Sequence, residues 1–241
     1  MTTYIQALTA LQYLFDNVGE NHWRDWLRQD IMLWETDQDV SHHLSAYGGM
    51  GSINDVWICA ENKHRITKIQ EPWANHLLDL LKALCHRLAK TPNADQDIMD
   101  VIHNRRTSLL NPLKENAAAQ ISMPGVQLHG WRCLNCGYGE VNTYEIEDYL
   151  AKIVLPDQLK NARTEQDLIT LVDSALAFEF EDLNTERNQI KKMVADSSIN
   201  IGDREGWMRP CPNCGGSDTA VYRWELSNNK FRASEDNLPL K

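Results

Sequence analysis

Four cysteines in two short motifs are the residues of this sequence best suited to chemistry. They occur as Cys133-Leu-Asn-Cys136-Gly137 and Cys211-Pro-Asn-Cys214-Gly215, two Cys-x-x-Cys units each followed by glycine. One tight turn of this kind supplies two adjacent corners of a tetrahedron, and two such turns supply the four ligands that Zn²⁺ prefers. The sequence therefore predicts one zinc ion bound by Cys133, Cys136, Cys211 and Cys214. Because four thiolates leave no position for water or substrate, this zinc is expected to be structural.

Other uses of these cysteines are disulfide bonds or a redox-active dithiol pair of the thioredoxin type. Neither of these accounts easily for two matching turns, each closed by a glycine that tolerates a positive φ. His129, four residues before the first motif, is an alternative ligand, although it lies outside both turns. The remaining cysteines, Cys59 and Cys85, have apolar neighbours in sequence and are expected to be small buried residues.

Residues 219–226, which follow the second motif, are rich in β-branched and aromatic side chains and predict a strand. Residues 126–132 lead into the first motif, and residues 138–143 lead out of it. A cysteine motif at the tip of each of two hairpins resembles a zinc ribbon. That resemblance covers only these short stretches and implies a metal site but no activity. Residues 137–210 separate the two motifs, whereas a simple ribbon has a short connection. Since both ends of this segment must reach one metal ion, we expect it to form a compact insertion.

Length and charge narrow the classes of function. The chain has 241 residues, enough for one large or two small domains, and a formal net charge of −10. An acidic chain of this kind is poorly suited to general attraction to a phosphate backbone and is better suited to a basic partner. No uninterrupted apolar run approaches a membrane span, and the first residues lack the features of a signal peptide. With zinc-binding thiols, this predicts a cytoplasmic protein.

Helical periodicity dominates the N-terminal part. It predicts a helix over 3–18, a tryptophan-rich helix capped by Asn21, a short helix over 41–47 and a leucine-rich helix from Pro72 to Lys90. Two short strands, 56–59 and 65–69, are expected to form a hairpin between the last two helices. The tryptophan stripe is predicted to lie in the core, with a binding surface as the alternative.

Residues 46–55 read Ala-Tyr-Gly-Gly-Met-Gly-Ser-Ile-Asn-Asp. This loop, with its flanking elements over residues 5–90, resembles a small bacterial domain family with a Gly-Gly-Met-Gly-Ser-x-Asn-Asp signature and no assigned function. The resemblance implies a bacterial source, a small α+β unit and an association with toxin–antitoxin or immunity-like genes. It carries no catalytic residues that could be transferred to this chain.

The same glycine loop is not a typical phosphate-binding loop. It follows a helix and precedes a predicted strand, and it lacks the lysine that a P-loop places after its last glycine. Its expected role is a tight turn that positions Asn54 and Asp55. Asp55 is a possible catalytic acid, but the sequence places no histidine or carboxylate beside it. His42 and His43 are adjacent and therefore do not share a helix face.

The segment between the cysteine motifs is predicted to be helical and acidic. One helix covers 144–153, Pro156 ends it and starts another, and Thr164 caps a longer one. Residues 137–210 contain 15 acidic and 8 basic side chains, so they carry −7 of the total charge. Glu179, Glu181, Asp182 and Glu186 form a concentrated acidic patch, either a solvated helix end or a surface directed at a basic partner.

We therefore expect a predominantly helical α+β protein. Residues 1–92 form a small helix-and-hairpin domain, 93–125 a helical connector that includes a helix near 95–106, and 126–241 a zinc ribbon with a helical insertion over 144–200. No catalytic constellation is evident. The leading hypothesis is a non-enzymatic immunity protein that neutralises a basic toxin by occluding its cleft with the acidic patch. A nucleic-acid-associated regulator that uses Arg132, Arg209 and Arg223 is the alternative, and an enzyme that uses Asp55 ranks third.

Overall fold

A computed structural model describes residues 2–90, 127–177, 180, 183–202, 210–227 and 230–234. The helix predicted near 95–106 lies outside these residues. These residues form α-helices and a five-stranded sheet, as the sequence predicted in outline. The chain divides into two compact units. The first contains residues 1–107 and 154–180, and the second contains residues 108–153 and 181–241.

The first unit is helical and is built around α1 (Thr3–Val18). The other elements are α2 (Asn21–Asp37), α3 (Ser41–Ser45), α4 (Glu71–Lys90) and α6 (Glu165–Ala177), with residues 154–161 of α5 (Thr143–Asn161). Helix α1 contacts α2, α4 and α6. It can do so because apolar side chains cover more than one of its faces: Tyr4, Ile5, Leu8, Leu11, Leu14, Phe15 and Val18 are all buried.

The ends of α1 follow from local chemistry. The Thr2 hydroxyl accepts a hydrogen bond from the Ile5 amide at the start. Gly19, with φ of 82°, adopts the left-handed conformation that ends the helix. Asn21, the predicted cap of α2, is instead the first residue of this helix, and the carboxylate of Glu20 caps the helix by accepting from the His22 amide. Trp23 and Trp34 of α2 are buried, which agrees with the core prediction for these two side chains.

The predicted hairpin between α3 and α4 is wrong. Residues 53–55 and 60–62 form 3₁₀ turns, and no strand is present between residues 46 and 70. Side chains replace the missing partner strand. Asn75 accepts from the Ile58 amide and donates to the Ile58 carbonyl oxygen, and Glu71 accepts from the Ala60 amide. The segment is therefore extended, but buried polar side chains of α4 satisfy its backbone.

A single helix, α5, runs through Pro156, so the predicted break at this residue is also wrong. Proline removes one backbone hydrogen bond, which usually ends a helix. Here Leu150, Val154, Leu155 and Leu159 are buried on both sides of the proline, and this burial favours continuation. The boundary between the two units falls within α5.

Residues 154–180 group with the N-terminal residues, so the predicted insertion over 144–200 is divided between the units. Helix α6 contacts α1 and α4. The Tyr13 hydroxyl donates to Asp173 at 2.8 Å, and the Gln70 amide donates to the carbonyl oxygen of Leu176. The ring of Phe180 stacks on that of Trp73, with centroids 4.5 Å apart. These contacts account for the assignment of α6 to the first unit.

The second unit contains the sheet, the start of α5 and α7 (Asn184–Asp196). The strands are β1 (Gln127–Cys133), β2 (Gly139–Val141), β3 (Asn200–Ile201), β4 (Thr219–Ser227) and β5 (Lys230–Ala233), in the order β3-β2-β1-β4-β5. Strand β1 pairs antiparallel with β2 and β4. The strands around the cysteine motifs were predicted, whereas β3 and β5 were not.

Two buried features fix the centre of this unit. Trp224 of β4 lies over Gly130 and Gly139, and a Cβ placed on Gly130 would lie 2.1 Å from the carbonyl oxygen of Glu140. Only glycine therefore fits at Gly130.

Between α5 and α7, the Arg187 Nε donates to both carboxylate oxygens of Glu147, at 3.0 and 3.2 Å, in a buried ion pair.

Candidate metal centre

Four cysteine side chains converge at one end of the sheet, as the sequence predicted. The sulfur atoms of Cys133, Cys136, Cys211 and Cys214 all lie within 4.8 Å of one another. The Cys133 and Cys214 sulfurs are 3.6 Å apart, and those of Cys136 and Cys211 are 3.7 Å apart. A metal ion bonded to four sulfurs at about 2.3 Å would separate them by about 3.8 Å. The four side chains are therefore spaced to bind one metal ion.

The two turns are built in the same way. The Gly137 amide donates to the Cys133 carbonyl oxygen at 2.9 Å, and the Gly215 amide donates to the Cys211 carbonyl oxygen at 2.8 Å. Both glycines have positive φ, 75° and 69°, which explains why glycine follows each motif. The sequence spacing alone thus dictates the shape of each half-site.

The sheet brings the two half-sites together. Cys133 is the last residue of β1 and pairs in register with Thr219, the first residue of β4. Next to this pair, the Leu134 amide donates to the Asp218 carbonyl oxygen at 2.9 Å. Since the first turn follows β1 and the second turn precedes β4, antiparallel pairing of these strands places both turns at the same end of the sheet.

Within each turn, the first cysteine is buried and the second is exposed. Cys133 and Cys211 are buried and pack with Trp131 and the half-buried Tyr138. Cys136 and Cys214 are exposed. A bound ion would therefore have an apolar side, which excludes water, and a side open to solvent.

Hydrogen bonds at the sulfurs shift the pKa values of the two exposed cysteines in opposite directions. The Asn213 side-chain amide donates to the Cys136 sulfur at 3.4 Å, across the two turns, and lowers the pKa of Cys136 to about 6. At Cys214 the Gly216 amide acts in the same direction, but the hydrogen bonds shared with the other cysteines outweigh it and raise the pKa of Cys214 to about 12. Donors that face sulfur favour the thiolate form that a metal ion requires.

The alternative uses of the cysteines find less support. All six cysteines are free, so no disulfide joins them. His129 lies outside the sulfur cluster, with its Nδ1 3.5 Å from a carboxylate oxygen of Glu145 and its side chain 55% exposed. Cys59 and Cys85 are buried in the first unit, as predicted, and burial raises the pKa of Cys85 far above its usual value.

The predicted acidic patch is only partly visible. Glu179, Glu181 and Asp182 lie outside the described residues. Glu186 is in the first turn of α7 and is buried, with 3% of its surface exposed, which leaves it poorly placed to contact a partner. The prediction that these four residues form a partner-binding surface stays a prediction.

The glycine loop is a tight turn closed by Asp55. Its carboxylate accepts from the Gly51 and Ser52 amides, at 2.7 and 3.0 Å. The Asn54 side chain donates to the carbonyl oxygen of Tyr47 at 3.1 Å. Since Asp55 caps its own 3₁₀ turn, its carboxylate has a structural role here.

Sequence reasoning missed a cluster of ionisable groups in the first unit. Asp30 of α2 is fully buried, and its two carboxylate oxygens meet the Nδ1 atoms of His42 and His43. Adjacent residues do not share a helix face, but one carboxylate between them reaches both rings. The available signal was the position of Asp30, which continues the core spacing of Trp23, Leu27 and Trp34 on an amphipathic helix.

Comparisons with known proteins find that part of the first unit is similar to a family of unknown function. Residues 16–67 match a family described as a domain of unknown function, DUF6966. This segment includes Asp30, the two histidines and the glycine loop. No curated protein and no solved structure matches the chain. Within the described residues, no helix is both long and apolar enough to cross a membrane.

Proposed function

We propose that the ion bound by the four cysteines is zinc and that the cysteine-bearing sheet is a zinc ribbon whose metal is structural. Four sulfur donors are the typical set for a closed zinc site, and the sulfur separations of 3.6 and 3.7 Å suit tetrahedral bonds to zinc. The ion would join residues that are far apart in sequence and thereby close the second unit. Elemental analysis of the purified protein should find one zinc per chain, and iron in place of zinc would contradict this assignment.

We propose that the protein acts by binding another protein. The exposed loop between α3 and α4 carries this proposal. Met50 at its tip is fully exposed and Trp57, further along, is 51% exposed. Exposed methionine and tryptophan side chains are enriched where proteins bind one another.

This loop is held in one shape before any partner binds. Asp55 closes it through two backbone amides, and the Ile53 amide donates to the Ala46 carbonyl oxygen at 2.9 Å. A preorganised loop loses little conformational entropy on binding, so the contact of Met50 retains more of its free energy. The loop also lies within the segment that matches the domain of unknown function.

The charge of the chain supports a basic partner. The formal charge is −10, and an acidic protein associates faster with a partner of opposite charge. Together with the resemblance to a bacterial domain family of unassigned function that is associated with toxin–antitoxin or immunity-like genes, this leads us to propose that the partner is a basic toxin, which the chain neutralises by occluding its active cleft. The excess of acidic residues over 137–210 would steer this association.

The alternative, binding of nucleic acid through the zinc ribbon, has less support. Arg132 lies over the ring of Tyr222, with 5.3 Å between the guanidinium carbon and the ring centroid. Arg223 donates to Ser234 and lies 3.8 Å from a carboxylate oxygen of Glu225. Two of the three arginines proposed to contact phosphate are thus engaged with their own chain, and Arg209 lies outside the described residues.

The experiment is capture of partners from the native host with tagged protein, with and without nuclease. We expect one stoichiometric basic protein that resists nuclease, is lost with Met50→Glu and is weakened by Trp57→Ala. Gln29→Glu is the matched control, because it adds the same charge to an exposed position on α2 and should leave capture unchanged.

The identity of the captured protein then decides between the two proposed functions, binding of a toxin and binding of nucleic acid. Its purified form should be toxic when expressed alone and harmless with the unmodified chain, whereas Met50→Glu should fail to protect. Capture that nuclease abolishes would favour the nucleic-acid function. Capture of the same protein by Met50→Glu at undiminished yield would refute the loop as the contact surface.

A further inference from the structure

The cluster around Asp30 has features that a purely structural network does not need. Its carboxylate is inaccessible to solvent, yet it accepts hydrogen bonds from two histidines that differ in exposure. The His43 side chain is 1% exposed, whereas the His42 side chain is 22% exposed. The cluster therefore extends from a buried charge to a partly exposed ring.

Hydrogen-bond accounting gives the positions of the protons on His43. The Tyr47 hydroxyl has one hydrogen, which it donates to the Lys82 carbonyl oxygen at 2.9 Å, because a carbonyl can only accept. Its oxygen must then accept from the His43 Nε2, 3.3 Å away. The His43 Nδ1 also donates, to Asp30 at 2.8 Å. Hydrogen on both nitrogens would make His43 a cation that balances the buried carboxylate.

The same accounting leaves one nitrogen of His42 available. Its Nδ1 faces the second carboxylate oxygen of Asp30 and must therefore carry a hydrogen. The Nε2, on the opposite side of the ring, then holds a lone pair. Trp26 stacks on His42, with ring centroids 4.2 Å apart and planes inclined by 21°, but stacking covers a ring face and leaves the in-plane lone pair open.

We propose that His42 is a proton-accepting site, with Asp30 and His43 as the residues that position it. A carboxylate at Nδ1 fixes the tautomer in which Nε2 accepts, and it stabilises the imidazolium that forms. In the step, the Nε2 lone pair takes the proton of a ligand hydroxyl, the O–H bond breaks and its electron pair stays on oxygen. Because Asp30 and His43 balance each other, the fitting ligand is a neutral molecule that carries a hydroxyl group.

A metal site at His42 is less well supported by the same residues. Within the part of the chain that the structure describes, the four cysteines form the group of three or more metal-ligating side chains that lie close together. A single imidazole nitrogen does not make a stable metal site, whereas one nitrogen is enough to accept a proton. This inference is independent of the proposed partner binding.

The decisive measurement is the tautomer of His42 in the full chain, obtained from long-range ¹H–¹⁵N NMR spectra of protein labelled at histidine. We expect an unprotonated Nε2 and a protonated Nδ1 on His42, and hydrogen on both nitrogens of His43. A hydrogen on the His42 Nε2 with a bare Nδ1 would overturn the proposal. This measurement uses the unmodified protein, so it stands even if substitutions of buried Asp30 prevent folding.

Reactivity toward diethyl pyrocarbonate tests whether the lone pair is accessible. The His42 Nε2 bonds to a carbonyl carbon of the reagent, the bond to the bridging oxygen breaks, and the Nδ1 proton leaves with the ethyl carbonate, which decays to CO₂ and ethanol. We expect His42 to react at least as fast as the more exposed His22. Asp30→Asn should slow this reaction about tenfold or more, because an amide permits the opposite tautomer.

Asp25→Asn is the control for these reactions, because it removes an exposed carboxylate from the same helix and should leave His42 unchanged. Slow reaction of His42 in the unmodified protein, or equal rates in Asp30→Asn and the unmodified protein when both are folded, would each refute the site.

Discussion

Replacement of Cys136 by serine separates the contribution of the metal from that of the protein around it. Cys136 is exposed, and surface substitutions usually change the free energy of unfolding by less than about 0.5 kcal/mol. In the metal-free protein, Cys136→Ser should therefore be nearly neutral. In the metal-loaded protein it removes one of four ligands, so any large loss of stability must act through the metal.

The magnitude follows from mass action. A ligand present at a thousand times its Kd stabilises the folded state by about 4 kcal/mol, and a variant that no longer binds it loses that amount. The second unit has on the order of 100 residues, a size at which 1 kcal/mol shifts the Tm by about 4–8 °C. We expect the transition of this unit to fall by on the order of 20 °C in Cys136→Ser when metal is present.

The assay is thermal unfolding of the unmodified protein and of Cys136→Ser, each with saturating metal and each with chelator, with metal content measured in every sample. Cys59→Ser is the control, since this buried cysteine belongs to the first unit and its replacement should cost the same with and without metal. Equal losses for Cys136→Ser in both conditions would refute the reasoning, as would full metal binding with an unchanged Tm.

Other substitutions test the rest of the second unit. Gly130→Ala should lower the free energy of unfolding by about 1–3 kcal/mol in denaturant titrations, because its Cβ would meet a backbone oxygen, whereas Gly48→Ala, in open space, should change it little. Glu147→Ala should lower the free energy of unfolding by about 3–5 kcal/mol, because it breaks the buried ion pair with Arg187. Replacement of both residues by leucine should recover most of that loss in the same titration. At pH 7 in the metal-free protein, iodoacetamide should alkylate Cys136 first, since its pKa of about 6 makes it a thiolate; mass spectrometry that finds another cysteine modified first would contradict this.

The sequence determined the features that depend on neighbours along the chain. Two residues between the cysteines and a glycine after them specify each turn, so the four cysteines that converge could be named in advance. Helical periodicity located α1 to its exact ends because Thr2 and Gly19 cap it locally. The composition of residues 219–226 likewise predicted strand β4.

Tertiary contacts decided the features that the sequence left open or for which it gave a wrong prediction. Residues 56–59 have strand-like composition, but Asn75 on a distant helix satisfies the backbone of Ile58, so no second strand forms. Burial on both sides of Pro156 keeps α5 continuous, and contacts with α1 and α4 draw α6 into the first unit. In each case the deciding free energy comes from burial or hydrogen bonding between residues far apart in sequence, which no local pattern records.

The cluster of Asp30, His42 and His43 likewise could not be predicted from the sequence. His42 and His43 are adjacent residues of a short helix, and the packing of α2 and α3 brings one carboxylate within reach of both rings. Metal ligands supplied by a tight turn can be recognised from their spacing. A carboxylate and two histidines on separate helices become a site only when the helices pack, because their geometry is set by tertiary contacts and not by the chain between them.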